Sequence, residues 1–485
     1  MDKKHTSHWI ILIILALAQF MVILDSSIVN VAIPSIQHAF HIVPSTLQWI
    51  ITAYTLAFGG FLLLGGRAAD LYGRRKIFLG GVAMFALVSL ADGLSRSGGM
   101  LIALRGMQGL AGAFMSPAAL SIVLVTYREG HERNVALSVW GAVAAGGAAV
   151  GLLLGGLLTQ YLGWRWNFFI NVPIGIFVLF SAYRLVPKHE YEAEHNNLDL
   201  FGALCATSGP MLLVYGLVKA PTSGWTSPSS LIFFGASILL MLIFAFNESR
   251  VKYPLVPLSI FKNRNLFGAN LIQLPIAAGL FSVFFFSSLY FQNILHYSPI
   301  RTGLAFLIVP FAIMITASQA PKLIKKFGYK KILSVTPLIS AVGLFMLSTI
   351  PIHSSYWTHV VPGIFILGLG LGATFVSLLS AATSGVKGDQ SGLASGIINT
   401  TQQIGGSLGL AVLTGVTASV AASYVKSVKV VNSLTNATGL VHGYRKGFFL
   451  AGCFNIFAAL VAFTIIKQKN NDVSANSVVV DGQPE

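Results

Sequence analysis

A chain of 485 residues that is 55% hydrophobic and only 9% charged lacks the polar surface that a water-soluble globule of this size displays, which excludes a soluble enzyme or scaffold. Its formal charge of +16 would suit a nucleic-acid partner, but the basic residues fall in short clusters between apolar runs rather than along one face, so none is expected. The apolar runs recur from end to end at about 20 residues, the length a helix needs to cross roughly 30 Å of hydrocarbon, whereas barrel strands would be half as long and alternating. The composition therefore describes an all-α polytopic membrane protein.

The N-terminal MDKKHTSH precedes a long apolar run with no small-residue cleavage site after it, so the first span reads as an uncleaved helix. In chain order, spans are predicted near residues 9–40, 46–66, 77–95, 100–124, 134–160 and 166–186. Two more, near 198–219 and 229–247, precede a polar, proline-bearing segment from Asn247 to Asn265. Six others follow, near 266–293, 301–322, 331–350, 357–383, 392–424 and 446–466. The tail ending VDGQPE is polar and reads as disordered. Cys205 and Cys453 both fall within spans, so neither a disulfide framework nor a metal site is expected.

Positive charge is retained on the cytoplasmic side of a membrane, and an internal N-terminus puts about 22 of the 31 Lys and Arg there. These include Arg67, Arg74, Arg75 and Lys76, Arg128, Lys188, and the group from Lys322 to Lys331, with Lys387 and Lys469 later in the chain. Fourteen spans then leave both termini cytoplasmic, in a multi-pass protein of the plasma membrane. An internal echo supports the count. GRAADLYGRRKIFL from Gly66 and PKLIKKFGYKKIL from Pro321 align Gly73 with Gly328 and Arg75 with Lys330, while Asp70 is replaced by Lys325. The economical organisation is a six-helix half over 1–190, a two-helix insert over 191–250, a second six-helix half over 251–470 and a tail over 471–485. Paired repeats flanking a midplane site are a common plan for secondary transporters.

Asp25 lies near the middle of the first apolar run, in LDSSIVNVAIP from Leu24 to Pro34, where hydrocarbon offers a carboxylate no water. Burial favours the protonated acid and a nearby cation favours the carboxylate, so such a group can be poised to load and release a proton. Arg105 is the only basic residue expected deep in a span, and a lone guanidinium there is costly, so a partner is expected in Asp25 or a polar neighbour such as Gln108. Asp92 and Glu248 are expected at span ends, which leaves Asp25 as the single deep carboxylate. A purely structural ion pair is the alternative to proton carriage.

Several segments together resemble the fourteen-helix drug:proton antiporter family of the major facilitator superfamily. They are LDSSIVNVAIP, GRAADLYGRRK from Gly66, LRGMQGLAGA from Leu104, WRWNFFINVPIG from Trp164, YFQNILHYSPIRTG from Tyr290 and SGLASGIINTTQQIGGSLG from Ser391. The resemblance implies multidrug efflux, with Asp25 carrying the proton and Arg105 and Gln108 tuning it. It also implies a conformational switch in which Asp70, Arg74 and Arg75 latch the halves, with Gly66 and Gly73 allowing the turn. One departure stands out: the family's Gly-Pro-x-x-Gly-Gly motif of span five reads Gly151, Leu152, Leu153, Leu154, Gly155, Gly156, without the proline. The three glycines still allow close helix approach.

Asn30, Trp49, Tyr54, Asn270, Gln273, Tyr290, Asn399 and Gln403 are polar or aromatic groups within spans that could line a substrate cavity, or else hydrogen-bond between helices or anchor at an interface. The GxSxG string at Gly405–Gly409 and the loose GxGxxA string at Gly368–Ala373 lie in helical runs rich in small residues, so helix packing explains both and no enzyme is expected. No Walker lysine loop is present, so ATP hydrolysis is not the expected energy source; no cofactor is expected, and the antiporter resemblance implies the proton as coupling ion. One carboxylate implies about one proton per cycle and hence a small amphipathic substrate that is neutral, zwitterionic or monocationic, handled by a monomer in the bilayer. The competing readings are proton-coupled uptake of an anion that meets Arg105, distinguished by direction, and a non-transporting receptor or lipid-binding protein, in which Asp25→Asn would be silent.

Overall fold

The computed structural model describes residues 3–127, 130–187, 198–352, 355–386, 390–428 and 432–468; Arg128, Lys188, Lys387, Lys469 and the tail over 471–485 lie outside them. Helices begin where a side chain can satisfy the first free amides. Ser97 Oγ accepts from Met100 N at 3.2 Å, Asp199 Oδ1 from Gly202 N at 2.7 Å and Asn432 Oδ1 from Thr435 N at 2.8 Å. The long helices are α1 (Lys3–Phe40), α2 (Trp49–Tyr72), α3 (Arg74–Gly93), α4 (Gly98–Thr126), α5 (His131–Tyr161), α6 (Asn171–Leu185) and α7 (Leu200–Ser223). They continue as α8 (Pro228–Arg250), α9 (Arg264–Leu289), α10 (Ile308–Leu347), α11 (Val361–Thr383), α12 (Ser391–Ser427) and α13 (Ser433–Ile465). No strand occurs among the described residues, and 13 helices are long and apolar enough to cross a membrane.

The connections expected at Gly66–Lys76 and Pro321–Leu333 are each reduced to a single glycine. α2 runs on to Tyr72 and α3 starts at Arg74, so only Gly73 breaks the path, at φ 96° and ψ 119°. In α10 the break is Gly328, at φ 77° and ψ 152°. Helical hydrogen bonding continues over charged residues beyond the apolar stretch, and it stops only where a residue without Cβ adopts positive φ. The two glycines aligned by the sequence echo thus make the same kind of break.

α1 to α6 pack on one another, with α1 against α5 and α6, α2 against α4, and α3 against α4 and α6. α9 to α13 form a second group, in which α10 packs on α11 and α13, and α9 on α11, α12 and α13. α7 pairs with α8 and also touches α2 and α12, so it covers one side of the seam. Along that seam α2 meets α12, α1 meets α9, and α5 meets the short helix Pro299–Phe306. The end of the bundle bearing Gly73 and Gly328 is called the basic end, and the opposite end the far end.

Gly73 has open space where a Cβ would stand, so its substitution is strained by backbone conformation alone. Gly73→Ala and Gly328→Ala should each cost about 1–3 kcal/mol and lower the thermal midpoint of the detergent-solubilised protein. Gly80→Ala, also with open space but inside a regular helix, should leave it unchanged or slightly raised.

Candidate coupling site and central cavity

Within the first helical group, one buried polar cluster joins five helices. Asp25 on α1 is 0% exposed, and its Oδ2 accepts from Arg105 Nη1 at 2.6 Å. Its Oδ1 accepts from Gln108 Nε2 and from Asn171 Nδ2, both at 2.9 Å. Arg105, 1% exposed on α4, also donates through Nε to Ile50 O at 3.2 Å and through Nη1 to Gln108 Oε1. Its guanidinium lies 4.2 Å from the Tyr54 ring centroid. Ser89 Oγ on α3 accepts from Gln108 Nε2 at 2.5 Å and from Asn171 Nδ2 at 3.3 Å, which closes the network. Arg105, Gln108 and Asn171 thus all donate to the Asp25 carboxylate, and Ser89 accepts from two of those three donors.

Sequence reasoning finds Asp25, Arg105 and Gln108 but misses Ser89 and Asn171. Asn171 stands inside WRWNFFINVPIG, and an amide in an apolar helix needs a partner; that signal was present. Asp92 stands at a span end, as expected, one residue before the end of α3, but it is 0% exposed with neither carboxylate oxygen hydrogen-bonded, so Asp25 is not the single buried carboxylate.

A cavity of about 480 Å³, within the size range of small-molecule sites, lies between the two helical groups. It runs from the level of Asn30 and Ile51 toward the basic end past Gln19, Leu62 and Ser116. Tyr54 and Arg105 belong to its wall, so the cavity and the Asp25 cluster share side chains. Asn30, Asn399 and Gln403 also line it, as expected, and Gln403 Oε1 is buried without a partner. The other four expected contacts are elsewhere. Trp49 packs with its ring centroid 6.2 Å from that of Tyr215 on α7. Asn270 is tied by its Oδ1 to Thr401 Oγ1 at 2.6 Å, and Tyr290 Oη donates to Pro351 O at 2.6 Å. Gln273 is 1% exposed within α9, its amide unpartnered. Each helix turns these groups away from the cavity, an orientation that span assignment alone does not fix.

The far end is closed across the seam. Ser288 Oγ donates to Asn30 O at 2.7 Å, Gln292 Nε2 to Val31 O at 2.9 Å and Ile300 N to Gln160 Oε1 at 3.2 Å. The span-five glycines do much of this packing. A Cβ on Gly151 would stand 2.8 Å from Ser27 Cβ, and one on Gly155 2.7 Å from Ile28 O, both on α1. On Gly156 it would stand 2.7 Å from Ile300 Cα, across the seam. α5 is continuous from His131 to Tyr161 with Leu152 in place of the family's proline. At the basic end, Asp70 pairs with Arg74 at 3.1 Å, and Arg75 donates to Tyr183 O on α6. Gly66 would bring a Cβ to 3.6 Å from Pro117 Cβ on α4. The partners named here belong to the first helical group.

The helical arrangement and a seam cavity define a two-lobed membrane transporter fold. The Major Facilitator Superfamily profile matches residues 15–410. The puromycin resistance protein pur8 of Streptomyces alboniger is 37% identical over 481 residues, covering 98% of this chain and 95% of that protein. The cephamycin export protein CmcT of Amycolatopsis lactamdurans is 37% identical over 413 residues, covering 84% and 85%. Among solved structures, the POT family transporter PepTSo superposes with a TM-score of 0.70 at 14% identity, covering 94% of this chain and 97% of that one. The inward-open xylose transporter XylE from E. coli gives a TM-score of 0.64 at 12% identity, covering 96% and 98%. This chain belongs to the Major Facilitator Superfamily.

Because Asn171 reaches Asp25 directly, Asn171→Ala should lower stability by about 1.5–3 kcal/mol, the scale of hydrogen bonds to a charged group. In an Asp25→Asn background the same change should cost measurably less. A thermal-unfolding double-mutant cycle checks this, and additive effects would mean the contact carries no energy.

Proposed function

We propose that this protein is a proton-coupled efflux transporter that exports amphipathic drugs or toxic compounds by alternating access. The observation that carries this is the wall shared by Arg105 and Tyr54: a substrate entering the cavity meets the group that holds ionised Asp25. Relatives at 32–37% identity are antibiotic resistance and export proteins, which supports drugs as the cargo. Counting the two arms of α10 on either side of Gly328 separately turns 13 apolar helices into fourteen spans. On this reading the halves cover 1–190 and 251–470, the insert 191–250 and a cytoplasmic tail 471–485. The basic end faces the cytoplasm by charge retention, both termini lie there, and the protein works as a monomer in the plasma membrane. The closed far end then faces outward, and the structure is an inward-facing state.

In the cycle, Asp25 loads a proton when the cavity faces outward and releases it inside, where Arg105 recaptures the carboxylate. The proton is the coupling ion; no cofactor and no catalytic chemistry are called for. Asn30, Tyr54, Asn399 and Gln403 contact substrate, and Gly151, Gly155 and Gly156 let α5 rock against α1 and the opposite half. Gly66, Asp70, Gly73, Arg74 and Arg75 form the cytoplasmic part of the switch. One proton exchanged against a monocation moves no net charge and draws only on the pH gradient, about 1.4 kcal/mol per unit. A neutral or zwitterionic substrate adds the membrane potential, about 2.3 kcal/mol per 100 mV, whereas a dication would work against it.

In proteoliposomes, a panel of dyes and antibiotics including puromycin should be moved by a pH gradient, and Asp25→Asn should abolish that drive. Retention of full pH-driven transport by Asp25→Asn, or potential-driven export of a dication, would contradict the scheme. Gly156→Leu should prevent far-end closure: cysteines placed on either side of Ile300 should become reagent-accessible and transport should fall at least tenfold with membrane insertion unchanged.

A further inference from the structure

The first helical group buries a second carboxylate that the scheme above leaves unused. Asp92 is 0% exposed on α3, and neither of its oxygens has a hydrogen-bond partner. A carboxyl removed from water without donors or a bound cation is stable as the neutral acid. Its position follows from register. α3 and α4 are joined by the short link over 94–97 and run antiparallel, with Ser89 bonded to Gln108. Three residues farther toward the far end, one turn along each helix, stand Asp92 on α3 and Arg105 on α4. The two groups are in electrostatic range, and Asp25 is in range of both. Ser95, one turn beyond Asp92, is also fully buried with an unpartnered hydroxyl, so Ser89, Asp92 and Ser95 make a buried polar file from the shell of Asp25 to the far end of α3.

We propose that Asp92 is the outward-side proton relay of the transporter and the alternate partner of Arg105, an inference that rests on the antiport reading. In the present state Asp25 is ionised and paired, and Asp92 holds the proton. In the step proposed, the Asp92 O–H bond breaks and an O–H bond forms on an Asp25 carboxylate oxygen, as the two acids exchange the proton beside Arg105. Arg105 then transfers its ion pair from Asp25 to the newly ionised Asp92. Two carboxyls, one guanidinium and one proton give zero net charge before and after, so no unpaired charge is created in the membrane. Asp92 reloads from the outside along Ser95, and the cycle still carries one proton. The charged groups acting on Asp92 are Arg105 from α4 and Asp25 from α1, and Tyr54 from α2 acts in turn on both of those. Arg165, ahead of α6, donates to Ser95 O at 2.9 Å, and Asn171 on α6 donates to Ser89 Oγ.

The test uses the full-length protein in proteoliposomes, with Asp92→Asn, Asp92→Glu and Asp25→Asn beside wild type. Infrared difference spectra near neutral pH should show a neutral carboxylic-acid carbonyl band in wild type that Asp92→Asn removes. Asp92→Asn should lose pH-driven transport of a dye at least tenfold while keeping dye–dye exchange, which needs no net proton movement, and Asp92→Glu should recover much of the drive. A parallel fall of exchange and pH-driven transport, without recovery in Asp92→Glu, would make Asp92 a structural group only and overturn the relay. A band unaffected by Asp92→Asn would overturn it too. Wild-type pH-driven transport in Asp92→Asn together with its loss in Asp25→Asn would refute the relay alone. Full pH-driven transport in Asp25→Asn would instead refute the antiport reading beneath it.

Discussion

The contact between Asp25 and Arg105 governs the rest of this structure, because two opposite charges in hydrocarbon are tolerable only together. Each ion alone would cost several kcal/mol to desolvate, and their attraction offsets this only when the remaining lone pairs and protons are also satisfied. Gln108, Asn171, the Ile50 carbonyl and the Tyr54 face do that, and they come from helices distant in sequence. The packing of α1, α2, α4 and α6 is thus tied to one protonation state of one carboxylate. On the proposed antiport reading, a proton arriving there alters helix–helix contacts, which is how coupling would act.

What the pair biases must be able to exist in two arrangements, and the seam meets that requirement. Its far end is closed by a few hydrogen bonds to backbone carbonyls and by glycines of α5 that admit neighbouring backbones at van der Waals distance. Such contacts are individually weak and leave no covalent or metal tie among the described residues, so the halves can part. At the basic end Asp70 pairs with Arg74 and Arg75 donates to Tyr183 O, contacts within the first helical group. The absence of proline at position 152 goes with an unbroken α5.

Much of the site was legible before any coordinates. An acid and a guanidinium in apolar runs are so costly that each announced a role, and their pairing followed from the lack of other partners. Neutral polar residues gave weaker signals. Asn30, Asn399 and Gln403 reach the cavity while Asn270 and Gln273 do not, although all five are amides in apolar helices. The burial of Asp92, at the span end where the sequence places it, was not legible for a related reason. Position near the end of a hydrophobic run suggests access to headgroups, yet the packing of α4 and α6 over that turn of α3 excludes solvent from it.

The sequence by itself determined that the chain is a bundle of membrane-crossing helices, how they are ordered, which connections carry positive charge and that two repeats align Gly73 with Gly328. Those properties depend on segment length, hydrocarbon thickness and local backbone hydrogen bonding, all of which act within a span. Only the tertiary structure decided which face each helix turns inward, and so brought Asn171 to Asp25 across 146 positions, set Asp92 level with Arg105 and opened the cavity toward the basic end. A helix made of apolar residues on every side has no strong rotational preference of its own. Its rotation is fixed by the small residues and polar partners it meets on its neighbours, and those meetings exist only once the bundle has formed.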